Sequence, residues 1–235
     1  FNPKGAGTPV HFVFDDHVPV VQGSFEGTPG MFYIDTGSRA ELSLTKPFAE
    51  SHNLRATHPK GIETVDGWGV GGPVHGFVTR GGALTIGPVR IDSVVASFST
   101  DKGGAFADPS YQGNIGSGIL KRFIVTFDYP HQTMYLKRLP EPVADVNVFD
   151  RSGMWINQSD AGFHIVAVAA DAPADQAGLK AGDEIVAVDG QTAKSIHLYD
   201  LRKRLRDDAP GTVVQFTVER SGKPENLAVT LRDLI

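Results

Sequence analysis

Apolar and polar positions alternate in short bursts through the first 140 residues, with turn residues between them. Val10-His-Phe-Val-Phe14 and Val18-Pro-Val-Val-Gln22 carry the period-two pattern of half-buried strands. Gly27-Thr-Pro-Gly30 reads as a turn feeding a further strand, Met31 to Ile34. Glu41-Leu-Ser-Leu44 predicts another strand. Thr45 is placed to cap a short helix that has Pro47 near its first turn and runs from Phe48 to His52. Glu63-Thr-Val65 and Phe77-Val-Thr79 flank Gly67-Trp-Gly-Val-Gly-Gly72 and predict a glycine-rich hairpin. Leu84 to Ile91 reads as a second hairpin, Ser93 to Phe98 as a strand and Lys102 to Gln112 as a loop. From Gly113 the pattern gives an apolar-Gly pair (Ile115-Gly116), a short helix carrying Leu120 and Phe123, a strand to Phe127, an Asp turn, and a strand from Thr133 to Leu136.

Beyond Pro140-Glu-Pro142 and the acidic stretch to Asp150, which read as a linker, the pattern changes. Phe163 to Val168 is a strand, Ala172-Pro-Ala-Asp-Gln-Ala a short helix, and Glu184 to Val188 an apolar strand ending in Asp189-Gly190. A helix from Leu198 to Arg206 follows, then strands from Val213 to Val218 and from Leu227 to Leu231. Short strands and many turns predict a mainly β protein in two parts.

With 27 Gly and 15 Pro among 235 residues, composition favours the same class. No apolar run approaches the length needed to span a bilayer. The formal net charge of −5, with both signs interspersed, gives no sign of nucleic acid as a partner. There is no Cys, which rules out disulfides and thiolate chemistry. The eight His residues form no metal-ligand pattern, so neither a metal nor another cofactor is expected. No Gly-x-Ser-x-Gly nucleophile elbow occurs. The chain starts at Phe1 without a charged-then-apolar leader, and the expectation is that sequence lies upstream of it.

The candidate chemistry centres on Phe32-Tyr-Ile-Asp-Thr-Gly-Ser38. An apolar strand delivers Asp35 to its end, where an unpaired carboxylate would cost several kcal/mol. Gly37 lets the main chain turn its N–H toward the acid, and the hydroxyls of Thr36 and Ser38 are placed to orient it. A strand-ending Asx turn would use the same residues. The stretch resembles the signature of the aspartic peptidases, in which apolar residues precede Asp-Thr-Gly-Ser or Asp-Thr-Gly-Ala. Ile115-Gly116 with the following helix and strand is similar to the apolar-Gly element that closes a lobe in that family, although Asn114 stands where an apolar residue is usual. Together the likeness covers residues 10 to 138. It implies a retropepsin-like acid-protease β-barrel lobe whose catalytic residues are Asp35, Thr36, Gly37 and Ser38. It also makes the glycine-rich hairpin a flap, with Trp68, Gly69 and His75 near substrate. The same glycines match a dinucleotide-binding pattern, but no helix follows them to hold a pyrophosphate, and that reading fails.

Ala177-Gly-Leu-Lys-Ala-Gly-Asp183, the apolar strand and Asp189-Gly190 resemble the PDZ modules of bacterial proteases. The resemblance implies a peptide added as a strand at a sheet edge. Gly153, Met154, Trp155 and Ile156 then stand at the loop that takes a C-terminal carboxylate, with Trp155 in place of a small residue and partly filling the groove.

The domains expected are a peptidase domain over 1–140, a linker over 141–150 and a PDZ domain over 151–235. The function expected is an aspartic endopeptidase acting on protein or peptide substrates. Its chemistry needs two carboxylates sharing a proton, and the chain has one Asp-Thr-Gly. Asp35 must therefore meet a second Asp35 in a homodimer or an acid on an upstream lobe. Arg39 beside it would oppose proton sharing if it pointed inward. A catalytically silent peptide-binding scaffold is the main alternative, and an acid-catalysed hydrolase of another bond a more distant one. The resemblance places the protein in the periplasm or outside the cell.

Overall fold

In the computed structural model, residues 2–141, 143 and 148–235 are described; part of the expected linker, Pro142 and 144–147, lies outside them. The chain forms two compact units, taken separately below.

The first sheet is built on β1 (Thr8–Asp15), β2 (Val18–Phe25), β3 (Thr28–Asp35), β4 (Leu42–Leu44), β5 (Ile62–Gly69) and β6 (Gly72–Arg80). It continues through β7 (Ala83–Ile86), β8 (Val89–Asp92), β9 (Val95–Ser99), β10 (Gly113–Gly116), β11 (Phe123–Asp128) and β12 (Thr133–Arg138). These strands form one sheet in the order β11-β12-β1-β2-β3-β10-β4-β9-β6-β5, with the β7/β8 hairpin attached to β2. The alternating sequence pattern explains the folding-over: Phe12, Phe25, Phe32, Ile34, Leu42, Phe77 and Ile115 all face one buried core.

Helices are few and short: α1 (Lys46–Ser51), α2 (Leu54–Thr57) and α3 (Ser117–Leu120). Thr45 does precede α1, but its hydroxyl donates to Tyr111 O at 3.2 Å and makes no cap bond. The expected helix end at His52 falls a residue later than the observed one. Asn53, with φ 52°, then starts α2, which the sequence pattern did not suggest; Asn tolerates that left-handed turn. Phe123, expected on a helix, begins β11 instead. Phe123 enters the core from that strand.

The second unit contains β13 (Met154–Gln158), β14 (Phe163–Val168), β15 (Glu184–Val188), β16 (Gln191–Thr192), β17 (Val213–Arg220) and β18 (Lys223–Thr230), with α4 (Pro173–Gln176) and α5 (Leu198–Asp207). The sheet order is β13-β14-β15-β17-β18, so β13 is an edge strand. Ile156, Phe163, Ile165, Leu201, Leu205 and Phe216 share its core.

Candidate active site

β3 buries Phe32 and Ile34, and its two-residue period turns Tyr33 and Asp35 to the opposite, half-buried face. β10 runs parallel to β3, with Asn114 opposite Tyr33 and Gly116 opposite Asp35. Asn114 is therefore a neighbour of the acid.

The loop after Asp35 folds back on it. Gly37 N and Ser38 N donate to Asp35 Oδ1 at 3.0 and 3.1 Å, and Asn114 Nδ2 donates to Oδ2 at 3.3 Å. The loop is itself tied to α3: Ser117 N and Ser117 Oγ both donate to Ser38 O, each at 2.7 Å. Gly116 is needed for that approach, since a Cβ there would lie 2.2 Å from Ala40 O. Beneath it, Arg122 and Glu41 form a buried ion pair at 2.7 Å, and Val95 N donates to the other Glu41 oxygen at 2.7 Å. A buried pair with its spare valences filled is the kind a core tolerates.

One expectation is corrected here. Orientation of Asp35 comes from main-chain N–H groups and the Asn114 amide, not from the hydroxyls of Thr36 and Ser38. Ser38 Oγ accepts from Ala40 N at 3.3 Å, and Thr36 is exposed. Among the described residues, no second carboxylate hydrogen-bonds Asp35.

The same face carries residues that the sequence reading passed over. Tyr33 Oη donates to Asp15, and its ring lies 4.3 Å from that of Tyr111, which is buried. The Tyr33 hydroxyl is pushed up to about 12, chiefly by that bond to Asp15. The Tyr111 hydroxyl is also pushed up to about 12, chiefly by burial. The signal for Tyr33 was available: it sits two residues before Asp35 in a strand, hence on the same face.

The expected flap is a hairpin of β5 and β6, with Trp68 and Gly69 at the end of β5 and Trp68 52% exposed. His75 is tied to the body by Asp101, which accepts from its N–H at 3.1 Å and contacts Nδ1 at 3.2 Å. None of Trp68, Gly69 and His75 bonds to Asp35. Asp66, on the same hairpin, is half-buried across from Gly76, with Oδ1 shielded from solvent and unpartnered. Burial, opposed by a hydrogen bond with Ser97, pushes its carboxyl up to about 6. Asp66-Gly67 carries none of the Asp-Thr-Gly context, so sequence gave no reason to expect a shielded acid.

In the second unit, Gly153 precedes β13, and Met154, Trp155 and Ile156 lie within it. The loop before them already holds a carboxylate of its own. Asp150 Oδ1 accepts from Ser152 N, Ser152 Oγ and Gly153 N at 2.9, 2.7 and 2.7 Å, and burial pushes the acid up. Across the free edge of β13, the Arg202 guanidinium of α5 donates to Ile156 O and to Asn157 Oδ1 and lies 5.0 Å from the Trp155 ring centre. Trp155 Nε1 donates to Asn157 Oδ1 at 3.0 Å, completing the clasp.

The two units each match a known family. The aspartyl protease family model matches residues 21–119, and the PDZ domain model matches residues 150–231. Residues 21–119 thus resemble an aspartyl protease domain and residues 150–231 a PDZ domain, each match covering less than half of the chain. A probable periplasmic serine endoprotease DegP-like of Bartonella henselae is 44% identical over 59 residues, 25% of this chain and 11% of the relative. Its counterpart in Brucella suis biovar 1 is 43% identical over 61 residues, 26% of this chain and 12% of the relative. The chain thus spans about a tenth of the length of these curated relatives. Among solved structures, a retropepsin-like aspartic protease from Rickettsia conorii is 13% identical, covering 54% of this chain and 86% of that one with a TM-score of 0.37. An aminopeptidase N family protein from Idiomarina loihiensis is 27% identical, covering 37% and 14% with a TM-score of 0.32. No helix among the described residues is long and apolar enough to cross a membrane.

Proposed function

We propose that the chain is an aspartic endopeptidase in which Asp35, held by Gly37 and Ser38 within the Asp35-Thr36-Gly37-Ser38 loop, supplies one carboxylate of a catalytic pair. The observation that carries this is the half-buried acid at a strand end, with Oδ1 fixed by two N–H groups and Oδ2 held by the Asn114 amide. One carboxyl of the pair takes a proton from water as the water attacks the peptide carbonyl; the other, protonated, donates to the carbonyl oxygen. Since no second carboxylate among the described residues bonds Asp35, the partner acid comes from another Asp35, in a homodimer, or from an upstream lobe. The β5/β6 hairpin, with Trp68, Gly69 and His75, closes over bound peptide. The domain limits are 1–140 and 151–235, and the second domain takes peptide along β13 beside Gly153, Met154, Trp155 and Ile156. The relatives' printed names favour the periplasm.

The test is cleavage of unfolded protein and peptide by the full chain and by Asp35→Asn. The amide keeps the shape of the loop but cannot share a proton, so cleavage is lost with the fold retained. Undiminished cleavage by a folded Asp35→Asn chain overturns the assignment. A silent peptide-binding scaffold is the second reading, favoured by Asn114 standing where an apolar residue is usual.

A further inference from the structure

Asp66 belongs to β5, the outer strand of the glycine-rich hairpin, yet its carboxyl is fastened two strands away, on β9. Gly76 on β6 makes this reach possible. A Cβ there would lie 2.1 Å from Ser97 Oγ and 3.0 Å from Asp66 Oδ2, so the missing side chain lets the two meet across β6. Asp66 and Ser97 are hydrogen-bonded as a result. β9 is itself paired with β4, with Ser97 opposite Ser43, so Ser97 belongs to the body of the sheet. The other carboxyl oxygen, Oδ1, is shielded from solvent and has no hydrogen-bond partner among the described residues.

Beside Gly76, a second carboxylate holds the same hairpin. Asp101 accepts from His75 N at 3.1 Å and meets its Nδ1 at 3.2 Å, and Thr100 N donates to His75 O at 3.0 Å. The charged groups acting on Asp66 are these two: Asp101 opposes its ionisation and His75 favours it. Past this root the hairpin touches little. Val70 is fully exposed, and a Cβ on Gly69, Gly71 or Gly72 would meet no atom within 4 Å beyond its chain neighbours.

The two holds answer differently to pH. The main-chain bonds of His75 involve no exchangeable charge on the main chain. Ionised Asp66, in contrast, keeps charge on a carboxyl with one donorless oxygen, near Asp101, and both features cost free energy. Protonated, the carboxyl is neutral and its hydroxyl can donate to Ser97 Oγ. Burial pushes this carboxyl up to about 6, so the exchange falls in the mildly acidic range.

We propose that Asp66 is an acid-operated fastener at the root of the hairpin: with its proton it locks β5 to Ser97 on β9, and without it Oδ1 turns out to water and the hairpin swings loose about the His75–Asp101 contact. The proposal rests on the hairpin closing over peptide at Asp35 and adds what governs the closing. Acid favours the closed hairpin, and a rise toward neutral opens it.

The experiment reads Trp68, one of two tryptophans, in the full chain carrying Trp155→Phe. Acrylamide quenching of Trp68 is followed from about pH 4.5 to about pH 7.5, with circular dichroism reporting the fold, and rises about twofold in one step. Asp66→Asn has no group to titrate and keeps a donor for Ser97, so its quenching stays low throughout. Ser97→Ala removes the anchor and stays high throughout. Asp101→Asn removes the opposing charge and moves the step to lower pH, which decides the matter should Asp66→Asn not fold. No step in the parent, a step that survives in folded Asp66→Asn, or a step unmoved in Asp101→Asn overturns the proposal. Quenching needs no turnover: if the step is present and no peptide is cut at any pH, the fastener stands and the peptidase reading falls. Where peptide is cut, Asp66→Asn lowers the KM near neutral pH severalfold with little change in kcat, and an unchanged KM overturns the proposal.

Discussion

Asp35 and Asp150 are held in nearly the same way and are left in opposite conditions. Each has one oxygen that accepts from the main-chain N–H groups two and three residues on. For Asp150 a third bond, from Ser152 Oγ, is added on that oxygen and burial closes the site. For Asp35 the second oxygen meets only the Asn114 amide, on a half-buried face. The turn alone therefore does not mark an acid for chemistry. What distinguishes the two is the hydroxyl added to Asp150 Oδ1 and the burial that pushes that acid up, against the single amide that meets the second oxygen of Asp35.

Substitution should separate them. Asp35→Asn is expected to reduce peptide cleavage about a thousandfold or more while leaving the unfolding transition in place. Asp150→Ala should do the reverse. It leaves the N–H groups of Ser152 and Gly153 without their acceptor and is expected to cost the second unit about 2–4 kcal/mol, read by urea unfolding. If Asp150→Ala instead abolished cleavage in a folded chain, the division between structural and chemical acid would fail.

Asp66 sharpens the comparison as an acid that has one carboxyl oxygen shielded and unpartnered. Desolvation pushes its carboxyl up to about 6 in the folded state, above the ordinary value of an exposed Asp. The folded state thus holds a proton that the unfolded state has released, and stability falls as pH rises from about 4 to about 6. The difference is on the order of 3 kcal/mol at most. Asp66→Asn should remove that slope, so the wild-type and variant unfolding curves converge at acid pH and separate toward neutral. Parallel curves would refute it. The smallest effect is expected at the PDZ edge. Arg202→Met keeps the aliphatic stem but frees Ile156 O, and should tighten binding of an extended peptide severalfold by removing a competing donor. Weaker binding would make Arg202 a peptide contact rather than a clasp.

Strand pattern made most of the fold legible, because one buried face fixes each strand's register. Phe12, Phe32, Ile34 and Ile115 all fall on the faces that their alternation demands. Asp35 was legible because its motif is contiguous. Tyr111 and Asp15 were not, because they meet Tyr33 through contacts between distant segments, which no local window contains. Asp66 was hidden for a different reason: its burial depends on Ser97 and Gly76 from other strands. The Arg202 clasp likewise needs α5 to pack across β13, a contact between segments about 45 residues apart.

The most direct test of a shared acid pair is a mixing titration. Wild-type chains at fixed total concentration are replaced stepwise by Asp35→Asn chains, and cleavage is followed after re-equilibration. If two copies of Asp35 form the pair, activity falls as the square of the wild-type fraction, because mixed dimers carry a single competent acid. A decline strictly proportional to the wild-type fraction would show that each chain works without a second Asp35, and would contradict it.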